Sequence, residues 1–297
     1  MKKCFYLILL IFVFISGCNK NESKKEIVTT IYPFKAIIQE IVGDKYQVKS
    51  ILPAGADPHT YEILPSDFKS IQNSKLFFYG SLKLDGWASK LNVKNKIELL
   101  SFIPEEYLIE LTVHHHHGDQ ANDEDENFGV DPHFWTDPNV VNAMLPNLVI
   151  ELSKIDPEYA DLFKTNAETF SQKLSGLDKQ IKNETNSIKF RNVFTAHPFY
   201  SYFFNRYGFK LIGSLEIAPG SQPTAKDIKN LLDLVKKENV KAIFTHKQHS
   251  DKPAKVLAES SGINVFELDP IGGVEGRKTY QEIILHNLQI IKKALNE

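Results

Sequence analysis

The side chains in this chain with the plainest capacity for chemistry are imidazoles. Five of the ten histidines lie in one stretch, "TVHHHHGDQANDEDENFGVDPHFWTDP" (112–138). Four are consecutive (His114, His115, His116 and His117); an acidic run follows, then His133 in an aromatic segment. Other histidines come just after short apolar runs: His59 after "YQVKSIL", His197 after "NVFTA", and His246 and His249 after "VKAIFT". Asp269 follows "INVFEL" in the same way. Neutral imidazoles with a carboxylate suit Zn²⁺, which takes four ligands in a tetrahedron. A lone histidine after a strand is ordinarily a surface or hydrogen-bonded residue. Residues spread from 59 to 269 become a site only if the fold gathers them.

The pattern of elements predicts such gathering. Strands are expected at 26–32, 46–52, 75–80 and 97–100, and again at 192–196, 209–213, 240–245 and 263–268, with helical patterns between them. This βα rhythm implies mostly parallel sheets covered by helices. The segment 33–43 reads as a helix with Pro33 near its start and Gly43 as C-cap; 65–73 reads as a short helix with Ser66 as N-cap. From Asp156 to 187, Tyr159, Phe163, Phe170, Leu174, Leu177 and Ile181 form one apolar stripe on a long helix. The expected architecture is α/β with two lobes, each a mostly parallel four-stranded sheet covered by helices. One long rigid helix joins them, and the metal site lies in the crevice between. The boundaries are a signal peptide at 1–17, a lipidated tether at 18–26 and an N-terminal lobe at 27–155. The linking helix follows at 156–187 and the C-terminal lobe at 188–297. In open α/β sheets, ligands bind beyond the carboxyl ends of the strands, where His59, His197, His246 and Asp269 fall.

The N-terminus supplies the address. Lys2 and Lys3 precede an apolar run from Cys4 to Ile15, too short for a membrane span of about 20 residues. It reads as a secretory signal. "ISGC" resembles a bacterial lipobox, which implies cleavage before Cys18 and lipidation of that cysteine. Cys4 and Cys18 are the only cysteines, so no disulfide framework is available to the exported body. A net charge of −2 gives no sign of a nucleic-acid partner.

Four segments carry a family resemblance: "LPAGADPHTYEILPSD" (52–67), "DPHFWTDP" (131–138), "TAHPFYSYFFNRYGF" (195–209) and "ELDPIGG" (267–273). In order along the mature chain, they resemble the solute-binding proteins of bacterial metal ABC transporters. The branch is that of high-affinity zinc uptake. The resemblance implies metal ligands at His59, His133, His197 and Asp269. It also implies a lipid-anchored monomer that delivers Zn²⁺ to a membrane permease with its ATPase. A histidine at position 197 is associated with the zinc branch, and a glutamate there with the manganese and iron branches. Three imidazoles and a carboxylate also suit Zn²⁺ better than Mn²⁺. The chain departs from the family pattern at His246, where a glutamate is usual. His246 is therefore an alternative fourth ligand or a supporting residue.

The tract 114–127 reads as a solvated loop whose imidazoles and carboxylates add auxiliary zinc binding. As the principal site it would have to lose conformational entropy that rigidly placed ligands do not. A manganese or iron carrier of the same family is the alternative. A zinc hydrolase is a second, with Glu62 as its candidate base, but neither HExxH nor GxSxG occurs. An adhesin role, assigned to members of this family, has no separate signal here.

Overall fold

The computed structural model describes residues 25–113, 126–216, 222–248 and 250–296. The signal segment, Cys18, most of the tether, His114 to His117 and His249 lie outside the described residues.

The first lobe runs β1 (Lys25–Thr29), α1 (Tyr32–Val42), β2 (Tyr46–Ser50), α2 (Pro65–Asn73), β3 (Leu76–Tyr79), α3 (Gly86–Ser89) and β4 (Lys96–Glu98). Its four strands are parallel, in the order β2-β1-β3-β4. A hairpin follows, β5 (Glu110–Val113) with β6 (Glu126–Val130), then α4 (Pro138–Ile155) and α5 (Ala160–Thr185). The second lobe contains β7 (Asn192–Thr195), α6 (Ser201–Arg206), β8 (Lys210–Ser214), α7 (Ala225–Lys237), β9 (Ala242–His246), α8 (Lys252–Ser261), β10 (Asn264–Leu268) and α9 (Tyr280–Asn296). Its sheet is parallel in the order β10-β9-β7-β8. Runs such as "LFFY" in β3 and "AIFTH" in β9 are apolar or buried nearly throughout, as parallel strands covered on both faces must be.

Helix α5 buries Phe163, Ala167, Phe170, Leu174, Leu177, Ile181 and Thr185 along one stripe. Its 26 residues give it a length of about 39 Å at 1.5 Å per residue. The Asn166 side chain donates to the Ile41 carbonyl at the end of α1 (2.9 Å), and Glu184 pairs with Lys292 of α9 (2.7 Å). The helix is therefore fastened to both lobes.

Some local expectations change. Asp156 does not open the long helix; it ends α4, and a single 3-10 turn at Pro157–Tyr159 precedes α5. Its carboxylate instead accepts from the Tyr46 hydroxyl (3.0 Å) and pairs with Lys25, tying the helix junction to β1 and β2. Leu64, not Ser66, is the N-cap of α2. Pro65 opens that helix, and the side-chain carboxylate of Asp67 accepts the Leu64 N–H at 3.0 Å. Residues 126 and 127, expected in the loop, belong to β6.

One continuous core joins the lobes. It contains Ile27 and Phe78 of the first sheet, Phe163 and Phe170 of α5, and Phe244 and Leu268 of the second sheet. A smaller core, including Phe194, Val235, Ile243 and Leu257, fills the far face of the second sheet. Polar bridges reinforce the junction. Trp135 Nε1 donates to the Pro270 carbonyl, Tyr280 hydroxyl to the Trp135 carbonyl (both 2.8 Å), and Tyr202 hydroxyl to the Asp131 carbonyl (3.0 Å).

Candidate metal site

Each histidine of the site is placed by a different element. His59 sits in the loop after β2, where its own N–H donates to the Asp57 carboxylate (2.9 Å). His133 lies between β6 and α4, its N–H held by Asp131 (2.8 Å), and is only 3% exposed. His197 is two residues beyond the end of β7 and is also buried.

The three rings converge. His133 Nε2 is 3.3 Å from His59 Nε2 and 3.2 Å from His197 Nε2, and all three donor atoms lie within 4.8 Å of one another. Nitrogens bound to one Zn²⁺ at about 2.0–2.1 Å in a tetrahedron are about 3.4 Å apart, so the spacing fits that ion. They line a cavity of about 20 Å³, together with Asp57, Trp135, Phe199 and His246. That space suits one ion or water, not an organic substrate.

The opposite edge of each ring is anchored to oxygen. His59 Nδ1 faces the Lys83 carbonyl (3.0 Å), His133 Nδ1 faces Asp131 Oδ1 (2.8 Å), and His197 Nδ1 contacts Glu216 Oε2. Carbonyl and carboxylate oxygens only accept, so each Nδ1 carries the proton and each Nε2 keeps its lone pair for the cavity. Such outer partners fix ring orientation and raise ligand basicity. Burial, and after it the neighbouring His133, push the His59 pKa down from 6.5 to about 4. The ring is therefore neutral at physiological pH, the form a metal requires.

Asp131 is fully buried and Glu216 nearly so. Asp131 Oδ2 has no hydrogen-bond partner among the described residues. Two buried carboxylates behind three neutral imidazoles are costly alone, and a dication bound in front of them would offset that cost.

Asp269 stands elsewhere. Its Oδ2 pairs with Arg277 Nε (2.8 Å), and Oδ1 accepts the N–H groups of Ile271 (3.2 Å) and Gly272 (2.9 Å). It holds the turn whose Pro270 and Ile271 line the cavity, and is itself neither in that lining nor grouped with the three imidazoles. Gly272 and Gly273 belong to that turn at φ +68° and +82°. A Cβ on Gly273 would fall 2.9 Å from the Tyr32 ring, so the glycine pair of "ELDPIGG" is a steric requirement. His246 is buried beside the cluster, its ring centroid 5.7 Å from that of His197. Glu62 is not among the residues lining the cavity.

Asp131, Glu216, the Lys83 carbonyl and Gln248 were not picked out from the sequence. The signals available were an acid two residues before His133 and a lone glutamate closing the apolar run of β8. A backbone carbonyl 24 residues from the ring it meets has no such signal.

A two-lobed α/β chain whose imidazoles meet where the lobes join is, by class, a metal-binding solute-binding protein. The chain belongs to the ZnuA family, zinc-uptake complex component A periplasmic, which matches residues 27–294. The zinc-binding protein AdcA of Streptococcus pyogenes serotype M3 is 30% identical over 288 residues, 91% of this chain and 56% of the relative. The chain thus spans about half the length of that curated relative. Among solved structures, a crystal structure of ZnuA superposes with a TM-score of 0.78 at 25% identity, covering 91% of this chain and 99% of that one. A Zn(II)-bound variant of AdcAII from Streptococcus pneumoniae gives 0.76 at 27% identity, covering 92% and 99%.

Proposed function

We propose that this protein captures extracytoplasmic Zn²⁺ between its lobes, with His59, His133 and His197 as ligands, and delivers it to the permease of an ABC transporter. The observation that carries the reading is the convergence of three Nε2 atoms at zinc spacing, each ring locked from behind by an oxygen. The AdcA and ZnuA likenesses support zinc as the cargo. The protein acts as a monomer, exported and anchored through a lipid on Cys18, and carries out no reaction of its own. His114 to His117 gather further zinc weakly.

Isothermal calorimetry tests this. Wild type is expected to take up about one Zn²⁺ tightly, and His59→Ala, His133→Ala and His197→Ala each to lose that tight event. Tight binding that persists in any one of the three variants would overturn the assignment. Manganese as cargo is disfavoured by the nitrogen-rich donor set, since Mn²⁺ prefers oxygen.

A further inference from the structure

We infer that His246 supplies the fourth ligand, closing an all-imidazole cage with two nitrogens from each lobe. This deepens the zinc-capture reading above and rests on it.

Strand register makes the case. β7 and β9 are neighbouring parallel strands with Thr195 paired to Phe244, and the Ala196 N–H donates to the Phe244 carbonyl at 2.8 Å. Continued two residues, that register sets His197 beside His246. Side chains alternate along a strand, so both histidines share one face of the sheet. It is the inner face: Val193 and Phe244 lie in the core common to both lobes, Phe194 and Ile243 in the outer one. On the next strand, Leu268 pairs with His246, so Asp269 is one residue out of phase. Its two oxygens are committed to Arg277 and to its own turn.

The ring is prepared like the other three. Its Nδ1 faces the amide oxygen of Gln248 (2.8 Å), which puts the proton there and leaves Nε2 as the donor nitrogen. Phe199 packs against it edge-on with centroids 4.2 Å apart. His246 stands outside the 4.8 Å circle of the other three donors, and loading draws it in from the cavity wall that it already forms. The resulting nitrogen set also disfavours Mn²⁺.

The test is zinc K-edge X-ray absorption on the full chain with less than one equivalent of Zn²⁺, so that the tightest site fills first. Four imidazoles are expected in wild type and in Asp269→Asn. His246→Ala and His246→Gln should show three imidazoles plus oxygen, and bind zinc at least about tenfold more weakly. Melting curves of the metal-free variants verify folding. Three imidazoles plus oxygen in wild type, unchanged in both His246 variants, would overturn the assignment while leaving zinc capture standing. Tight zinc binding that survives His133→Ala would overturn both.

Discussion

At the scale of single residues, the site is a set of rings held from behind. Glu216 and Asp131 hydrogen-bond the Nδ1 edges of His197 and His133 and so fix which nitrogen of each ring is the donor. Glu216→Gln keeps an acceptor oxygen but removes the charge. It is expected to weaken zinc by about 10–100-fold, with the ligand count unchanged, as titration against a competing chelator would register. A Glu216→Gln protein of wild-type affinity would mean that the charge does not matter. The candidate ligands themselves were legible because each follows an apolar run or sits in a motif. Their partners were not, since an oxygen acceptor is recognised by direction and proximity, and residues 197 and 216 are brought together only by β7 pairing with β8. Asp269 illustrates the limit in the other direction. Its place after a strand resembles that of His246, but a single step in register separates the two, and Arg277 lies eight residues on.

At the scale of elements, the strands and the long helix were readable because their apolar periods are strong. The β5-β6 hairpin was not, because its strands border a tract too polar to signal an element. The hairpin changes what can be cut. Removal of 114–125 spares both strands, whereas removal to 127 takes two residues that pair with β5. The shorter deletion is expected to reduce the number of weakly bound zinc ions in calorimetry while the tight event remains. Disappearance of the tight event would make the tract the principal site. A second prediction concerns the link between the 3-10 turn at Phe134–Thr136, just before α4, and the turn after β10. Trp135→Phe leaves the Pro270 carbonyl without its 2.8 Å donor, and is expected to cost about 1–3 kcal/mol in denaturant unfolding. An unchanged midpoint would show that water replaces the indole.

At the scale of the whole molecule, the composition indicated a large core but could not reveal that both lobes share it. That continuity depends on α5, whose Phe163 packs against Tyr46 of the first lobe and whose Phe170 packs against Tyr280 of the second. Protonation reports on the assembled crevice. The folded protein holds His59 down to about 4 against 6.5, so between those values the unfolded chain takes up a proton that the folded one refuses. Stability of the metal-free protein should therefore fall as pH drops through this window, and His59→Gln should flatten that part of the melting-temperature profile. A slope identical to wild type would assign the titration to other groups. The shared core has a last consequence. Three imidazoles that already stand together, braced by packing that runs through both lobes, store little elastic energy when an ion enters. The site has no spring of its own with which to open. Filling such a site is easy and emptying it is the hard step, so release calls for mechanical work from outside the protein.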